Sequence, residues 1–265
     1  MTSMRHICQI VVKPQYRELL TQLVNRELAQ RYKQSVLGYF WVIINPLAQM
    51  LVMSFVFSRI FGRSDLGVPY PLFLFTALLP WNLFSASLSS AVGALVGNAG
   101  LLSKIYFPRE VLVLSSMLAR VIDFLFACLI LAAMLIFYHQ KITWHIWWVL
   151  PIFAIQFIFT YGLGLFFAAA NLFYRDIQYL LSLILLLWMY MTPVMYNMEI
   201  FPSKYRWVFQ INPMAVIVNA YREVILNGRP PNYVSLSIAF IVAILVVMIG
   251  FSLFKKLEGQ FADSV

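Results

Sequence analysis

Residues 96–110 read VGNAGLLSKIYFPRE, and this stretch separates two long apolar runs of the sequence. Gly97, Gly100 and Pro108 bracket about two helical turns that have an apolar face and one lysine. The stretch is too polar to cross a bilayer and too apolar for an ordinary solvated loop. We therefore expect a short helix at 98–110 that lies in the cytosol and presses against another surface.

The composition around this stretch is that of a membrane protein. Of the 265 residues, 62% are hydrophobic and 11% are charged, and the mean hydropathy is +0.83. Soluble domains carry about 25% charged residues, so a soluble domain of ordinary size is excluded. We expect an all-α polytopic membrane protein. The net charge of +9 does not require a nucleic acid partner, because Lys and Arg accumulate on the cytoplasmic flanks of spans.

Apolar runs of sufficient length predict six transmembrane helices within one domain, 1–265. The predicted spans are 36–61, 70–96, 114–138, 146–173, 177–196 and 233–254. Six spans place both termini on one side, which carries 11 basic residues against 7 on the other side, where the 7 include Arg59 at the end of the first span. By the positive-inside rule, we expect both termini and the 96–110 stretch in the cytoplasm.

Ahead of the first span, residues 14–34 have the pattern of an amphipathic helix. Leu19, Leu23 and Leu28 follow helical spacing, and arginines and a lysine occupy the other face. The pattern predicts a helix in the plane of the membrane interface, with its basic side toward water and headgroups. The alternative is a plain basic flank that sets the orientation of the first span.

Polar residues and prolines interrupt the first two spans. Asn45, Pro46 and Gln49 lie in the first, and Pro80 and Asn82 lie in the second. Such groups need partners from neighbouring helices or water, so we expect this face to be buried in protein or to line a cavity.

Two kinds of pattern in the spans predict helix contacts. Glycines at 93 and 97 and at 162 and 164 are candidate positions for close helix packing. In the third span, Arg120 and Asp123 share one helix face and can pair.

Residues 198–232 form the longest stretch between spans. Prolines and the Gly228–Pro231 stop divide it into two amphipathic pieces, neither of which is long enough to cross a bilayer. We expect interfacial or re-entrant helices here.

Motifs for catalysis or nucleotide binding are absent from the sequence. There is no G-x-x-x-x-G-K-[ST] loop, H-E-x-x-H, C-x-x-C or G-x-S-x-G. Cys8 and Cys128 are expected to be free thiols, and His139 and His145 are expected to be interfacial histidines without a third metal ligand. We therefore expect neither an enzyme nor a metal site.

Aromatic side chains are concentrated in or at the ends of spans 1, 2 and 5. Aromatic faces stack on sugar rings without fixed hydrogen bonds, so such a set suits the passage of a long glycan. The alternative is an ordinary lipid-facing belt. The candidate lining residues are Trp41, Trp81, Phe84, Trp188, Tyr190 and Tyr196.

Five segments in order resemble the permease subunit of ABC-2 type exporters of surface polysaccharides, the O-antigen, capsule and teichoic-acid transporters. They are RYKQSVLGYFWVIINP, YPLFLFTALLPWNLFS, LVGNAGLLSKIYFPREVLVLS, FYRDIQYL and LWMYMTPVMY. The resemblance implies a homodimer of six-span subunits in the inner membrane, paired with two separate ATPase subunits. It also implies a lipid-linked polysaccharide as substrate, membrane lipids around the chain, no cofactor in this chain, and ATP and Mg on the partner.

The resemblance further implies roles for particular segments. The first cytoplasmic loop would be the coupling helix that docks on the ATPase, comprising Leu101, Leu102, Ser103, Lys104, Ile105, Tyr106, Phe107, Pro108 and Arg109. Short gate helices at 198–227 would lie on the outer side, with Phe201, Pro202, Trp207, Pro213 and Arg222. Arg31 and Lys33 are candidates to receive the lipid diphosphate at the cytoplasmic entrance, or are plain positive-inside residues.

Three alternatives stay open from the sequence. An ABC-2 permease for a drug or a lipid would share the architecture, but the aromatic set favours a glycan. An intramembrane glycosyl- or acyltransferase would need loop carboxylates or a histidine cluster. A scaffolding membrane protein would have no use for prolines and polar groups inside the first two spans.

Overall fold

The computed structural model describes residues 14–32, 35–60, 67–102, 107–200, 202, 204 and 207–261. The described chain contains ten α-helices and no strand, as expected of an all-α membrane protein. The helices are α1 (Pro14–Tyr32), α2 (Phe40–Ile60), α3 (Tyr70–Gly93), α4 (Ala99–Leu102), α5 (Glu110–Phe137), α6 (Val149–Phe173), α7 (Ile177–Met191), α8 (Trp207–Ile211), α9 (Pro213–Ile225) and α10 (Tyr233–Leu257). Short 3₁₀ turns lie at Val96–Asn98, Trp144–Trp148, Met198–Ile200 and Glu258–Gln260.

Helix α3 is the centre of the bundle. It packs against α2, α5, α6, α7 and α9. Of the five long apolar helices, α3 is the most buried, with 78% of its most apolar 18-residue stretch inside the protein, although that stretch is the least apolar of the five. A helix with many Ser, Thr and Asn side chains is costly against lipid, so the more apolar helices surround it.

Five of the described helical segments are long and apolar enough to cross a membrane, and they contain α2, α3, α5, α6 and α10. The multi-pass architecture is therefore established. Helix α7 is apolar but has only 15 residues, fewer than the roughly 20 that a bilayer core requires. The prediction of six spans stays a prediction for this reason.

Helices α6 and α10 approach each other most closely at two glycines. A Cβ added to Gly162 would lie 2.6 Å from the Cα of Val247, and one added to Gly250 would overlap the carbonyl oxygen of Gly162. Gly164 is also closely packed, 3.1 Å from the Cβ of Ala91. The packing role predicted for Gly162 and Gly164 is thus confirmed.

The G-x-x-x-G pattern at 93 and 97 behaves differently. A Cβ added to either glycine meets no described atom within 4 Å. The pattern therefore makes no close helix contact within the described part of this chain.

The two ends of the bundle are built from different parts of the chain. At one end α1, the 96–102 segment, the start of α5 and the C-terminus share a hydrophobic cluster that includes Leu23, Leu102 and Phe261. At the other end the 138–143 turn bonds to the end of α9, since Gln140 donates to the carbonyl of Leu226. We refer to these as the α1 end and the α9 end.

We expect Gly162→Ala to destabilise the protein, because the added methyl group would force α6 away from the backbone of α10. The cost is about 1–3 kcal/mol of the free energy of unfolding, measured by thermal denaturation of the purified protein in detergent. Gly93→Ala is the matched control in α3, where the added methyl group has open space. An equal loss in both variants would contradict the close contact of α6 with α10.

Candidate functional site

A groove of about 490 Å³ lies between α2, α3 and α5. Its lining is unusually polar for a site between membrane-crossing helices. The polar side chains on it are Arg31, Asn45, Gln49, Asn82, Ser85, Ser89, Arg120 and Asp123. A lining of this kind is unfavourable against lipid, so the groove holds water or a polar ligand in the membrane.

The groove exists because the interruptions in the first two spans face each other. Asn82 donates to Gln49 at 3.0 Å and joins α3 to α2. Asn45, Pro46 and Gln49 all line the cavity. The prediction that this face lines a cavity or is buried in protein is therefore confirmed.

Three charged groups close the groove at the α1 end. Arg31 of α1 donates to Asp123 of α5 at 3.0 Å, and the Arg120 guanidinium lies 3.5 Å from the same carboxylate oxygen. Arg120 also donates to Ser90 of α3 at 2.7 Å. Two guanidinium groups share this carboxylate, and Glu27 lies 3.9 Å from Arg31 on α1, so two carboxylates balance the two arginines.

The sequence pattern predicted that the basic residues of α1 face water and headgroups. Two of them, Arg26 and Arg31, instead contact other helices and segments of the protein. Arg31 turns inward to Asp123, and Arg26 donates to Asn98 beside the coupling stretch. The apolar side chains Leu23 and Leu28 are buried in the protein. Helix α1 is thus fastened to the bundle by charge as well as by its apolar face.

The candidate aromatic residues separate into buried and open positions. Trp41 lines the polar groove, and Tyr190 is exposed. Trp81 and Phe84 are 3% and 0% exposed, and Phe84 packs against Phe159 and Trp188. The structure therefore places Trp81 and Phe84 in the core of the chain, away from any open surface.

The remaining two aromatic candidates hold the α9 end together. The indole nitrogen of Trp188 donates to Asn212 at 2.9 Å, just before α9. The hydroxyl of Tyr196 donates to the carbonyl of Tyr190 at 2.9 Å.

Arg222 is the best-defined polar group of the predicted outer gate. It is 5% exposed and donates to the carbonyl oxygens of Pro193 and Val194, at 2.5 and 2.6 Å, beyond the end of α7. Its guanidinium also lies 3.6 Å from the ring centroid of Phe73. Burial lowers the pKa of Arg222 to about 9, so the group is still charged at neutral pH.

Of the other gate candidates, two are exposed and one lies outside the described residues. Pro213 opens α9, while Trp207 and Pro202 are exposed, and Phe201 lies outside the described residues. Arg222 therefore joins α9 to the chain that follows α7, a function the sequence pattern did not indicate.

The coupling stretch is described only at its two ends. Leu101 is half-buried and Leu102 is buried, and Phe107, Pro108 and Arg109 are half-buried at the start of α5. Ser103, Lys104, Ile105 and Tyr106 lie outside the described residues, as does Lys33. Of the helix predicted over 98–110, the structure describes a 3₁₀ turn at Val96–Asn98, helix α4 and residues 107–110. Residues 103–106 lie outside the described residues.

No cluster of three or more metal-ligating side chains occurs among the described residues. The sequence patterns did not reveal two features of the site. Asp123 forms an ion pair with Arg31 of α1, and Ser85 and Ser89 add a row of polar side chains along the groove face of α3. Ser85 and Ser89 follow Asn82 at helical spacing, which is the signal that would have identified the row.

Helices long and apolar enough to cross a membrane, arranged around a polar groove, fit a transport permease. The chain belongs to the ABC-2 type transporter family, whose model matches residues 18–226. It is accordingly a transport protein of a multi-pass membrane class, and its function is not enzymatic.

Curated relatives match the chain over nearly its whole length. It is 35% identical over 248 residues to an O-antigen export system permease protein RfbA of Klebsiella pneumoniae, covering 93% of this chain and 94% of that protein. It is 32% identical over 254 residues to the protein of the same name in Myxococcus xanthus, covering 95% and 96%. The polysialic acid transport protein KpsM of Escherichia coli is 26% identical over 246 residues, covering 90% and 93%.

We expect Asp123→Ala to loosen α1 from the bundle, because the change leaves Arg31 and Arg120 without their shared carboxylate. A hydrogen bond to a charged group contributes about 1.5–3 kcal/mol, so amide exchange in 16–32 should become about tenfold faster or more. Hydrogen–deuterium exchange read by mass spectrometry measures this. Asp176→Ala, at an exposed position that makes no side-chain cap to α7, should leave exchange in α1 unchanged.

Proposed function

We propose that this chain is the membrane-spanning subunit of an ATP-driven exporter of a lipid-linked surface polysaccharide of the O-antigen kind. The observation that carries the proposal is the match to O-antigen export permeases over 93–95% of the chain. The polar groove supports it, because a glycan in transit needs hydroxyl-compatible walls inside the membrane. Glycan hydroxyls exchange hydrogen bonds readily with amide and serine side chains.

The groove is the proposed passage for the glycan. Asn45, Gln49 and Asn82 supply amide donors and acceptors, and Trp41 adds an aromatic face at the same cavity. Tyr190 is available on the exposed face of α7. The buried pair Trp81 and Phe84 supports this wall from behind and does not contact the sugar.

The arginine pair at the α1 end is the proposed entrance for the lipid-linked end. Arg31 and Arg120 line the groove, and they are paired with Asp123 and Glu27. A diphosphate is an anion for which arginine has the matching donor geometry. We propose Arg120 as a member of this entrance in addition to Arg31 and Lys33.

The 101–109 stretch is the proposed docking site for the ATPase. The sequence has no P-loop, so ATP and Mg belong to two partner ATPase subunits and no cofactor to this chain. Arg26 and Leu23 of α1 hold the beginning of the stretch in place through Asn98 and Leu102. A segment that is fixed at its ends is suited to transmit force.

A homodimer is the proposed assembly. Helix α2 packs mainly against α3 and α5 and leaves Leu51, Val52 and Phe55 exposed along one side. A second copy would close the groove on this side and complete a passage across the membrane. We place the assembly in the inner membrane, with both termini and the α1 end in the cytoplasm.

We expect Lys104→Glu or Tyr106→Ala to abolish stimulation of ATP hydrolysis by the permease and to reduce export of the polysaccharide. Insertion and dimer formation should be unchanged, because neither residue belongs to a described helix of the bundle. The measurements are ATP turnover of the reconstituted complex and polysaccharide at the cell surface. Lys141→Glu, at an exposed position of the α9 end, is the control; normal export from both docking variants would refute the docking site.

We expect Ser89→Trp to block glycan export, because an indole at this position occupies the groove between α2, α3 and α5. Basal ATP hydrolysis should continue, since the ATPase site is on another subunit. Uptake of radiolabelled lipid-linked polysaccharide into inverted vesicles, whose cytoplasmic face is outside, measures the effect. Ser237→Trp, on an exposed face of α10, should export at the normal rate, and normal export from Ser89→Trp would exclude this groove as the passage.

A further inference from the structure

The C-terminal turn, residues 255–261, is bonded to the beginning of α5 by one ion pair, and a second ion pair lies within the turn. Lys255 lies 2.8 Å from the carboxylate of Glu110 and 2.9 Å from that of Glu258. Glu110 is 1% exposed and is the first residue of α5. A buried carboxylate needs a partner, and Lys255 supplies it.

A second set of contacts joins the same turn to Arg109, the last residue of the coupling stretch. The Arg109 guanidinium donates to the carbonyl oxygen of Glu258, and it lies 5.6 Å from the ring centroid of Phe261. Phe261 is fully buried and packs against Phe254 and Phe173. The turn is therefore fixed in the core on one side and holds Arg109 on the other.

The four charged groups balance each other. Lys255 and Arg109 carry two positive charges, and Glu110 and Glu258 carry two negative charges. Neutralising Lys255 would leave Glu110 buried beside a second carboxylate, with the two repelling each other. The cluster is thus sensitive to this one lysine.

The opposite end of the coupling stretch is held by a different element. Arg26 of α1 bonds to Asn98, directly before α4. The beginning of the stretch is therefore attached to α1, and its end is attached to α5 and α10.

We propose that the C-terminal turn is a positioning device for the coupling stretch, with Lys255 as its central residue. A displacement imposed on residues 101–109 would pass through Arg109 and Glu110 into α5 and through Lys255 into α10, so that the two helices move together. This inference rests on the proposed docking of the ATPase at the same stretch.

The position of the stretch can be measured without any transport. Gly100 and Gly259 are exposed, and a Cβ added to either meets no described atom within 4 Å. Cysteines at both positions, in a background of Cys8→Ser and Cys128→Ser, take spin labels for pulsed dipolar distance measurement. The sample is the assembled complex of permease and ATPase.

We expect Lys255→Met to broaden the distance distribution and to raise the ATP consumed per exported glycan by about threefold, the order expected for one partly exposed ion-pair network. The amount of assembled complex should not change. Lys255→Arg should restore both quantities, because it keeps the charge. Lys256→Met is the matched control, since Lys256 is the exposed neighbour on the same helix.

An unchanged distance distribution in Lys255→Met would overturn the inference, whatever the export rate. A broadened distribution with normal ATP use per glycan would also overturn it, because the turn would then not take part in transmission. The proposed docking is judged separately from the Lys104 and Tyr106 variants, so the two proposals fail in distinguishable ways.

Discussion

The satisfaction of polar groups away from water is the constraint on which this structure depends. Helix α3 carries serines, a threonine, an asparagine and a proline through the membrane, and its neighbours meet these needs. Gln156 of α6 donates to the carbonyl of Pro80 at 2.7 Å, and Asn171 donates to the carbonyl of Val92 at 3.0 Å. On the side that opens into the groove, Asn82 bonds to Gln49 of α2 and Ser90 accepts from Arg120 of α5, while Ser85 and Ser89 line the groove itself. The groove and the central position of α3 therefore have the same cause, because polar groups unsuited to lipid are either paired inside the protein or kept in contact with water.

Buried or half-buried cations join elements that are distant in sequence at both ends of the bundle. Arg222 joins α9 to the chain after α7 through backbone carbonyls, without a carboxylate. Arg31 and Lys255 use carboxylates of α5, at Asp123 and Glu110, to hold α1 and α10. Helix α5 thus receives one ionic contact at its first residue, Glu110, and a separate one further along the helix at Asp123. This arrangement makes α5 the common partner of both chain termini.

Much of the architecture was predictable from the sequence, because long apolar runs and helix-breaking residues are local signals. The helix bounds of α3, α6 and α10 differ from the predicted spans by three residues or fewer at each end, and the pairing of Arg120 with Asp123 follows from their spacing alone. The burial of Trp81 and Phe84 was not predictable, because a lipid-facing side chain and a core side chain have the same hydropathy. Arg31 and Lys255 bond to residues that are 92 and 145 positions away in the sequence. Helical periodicity predicts which face of a helix a residue lies on, but it does not predict which residue it contacts.

The unequal packing of the groove walls has a mechanical consequence. Helix α3 is enclosed on most sides, and α6 and α10 meet at backbone distance, so this part of the molecule is stiff. Helix α2 contacts mainly α3 and α5, whereas α5, although equally exposed, also packs against α1 and α6. A load across the groove would bend or shift α2 long before it disturbed the core. The groove is therefore compliant on one side, and in the proposed passage this property suits a polymer whose repeating units differ in girth.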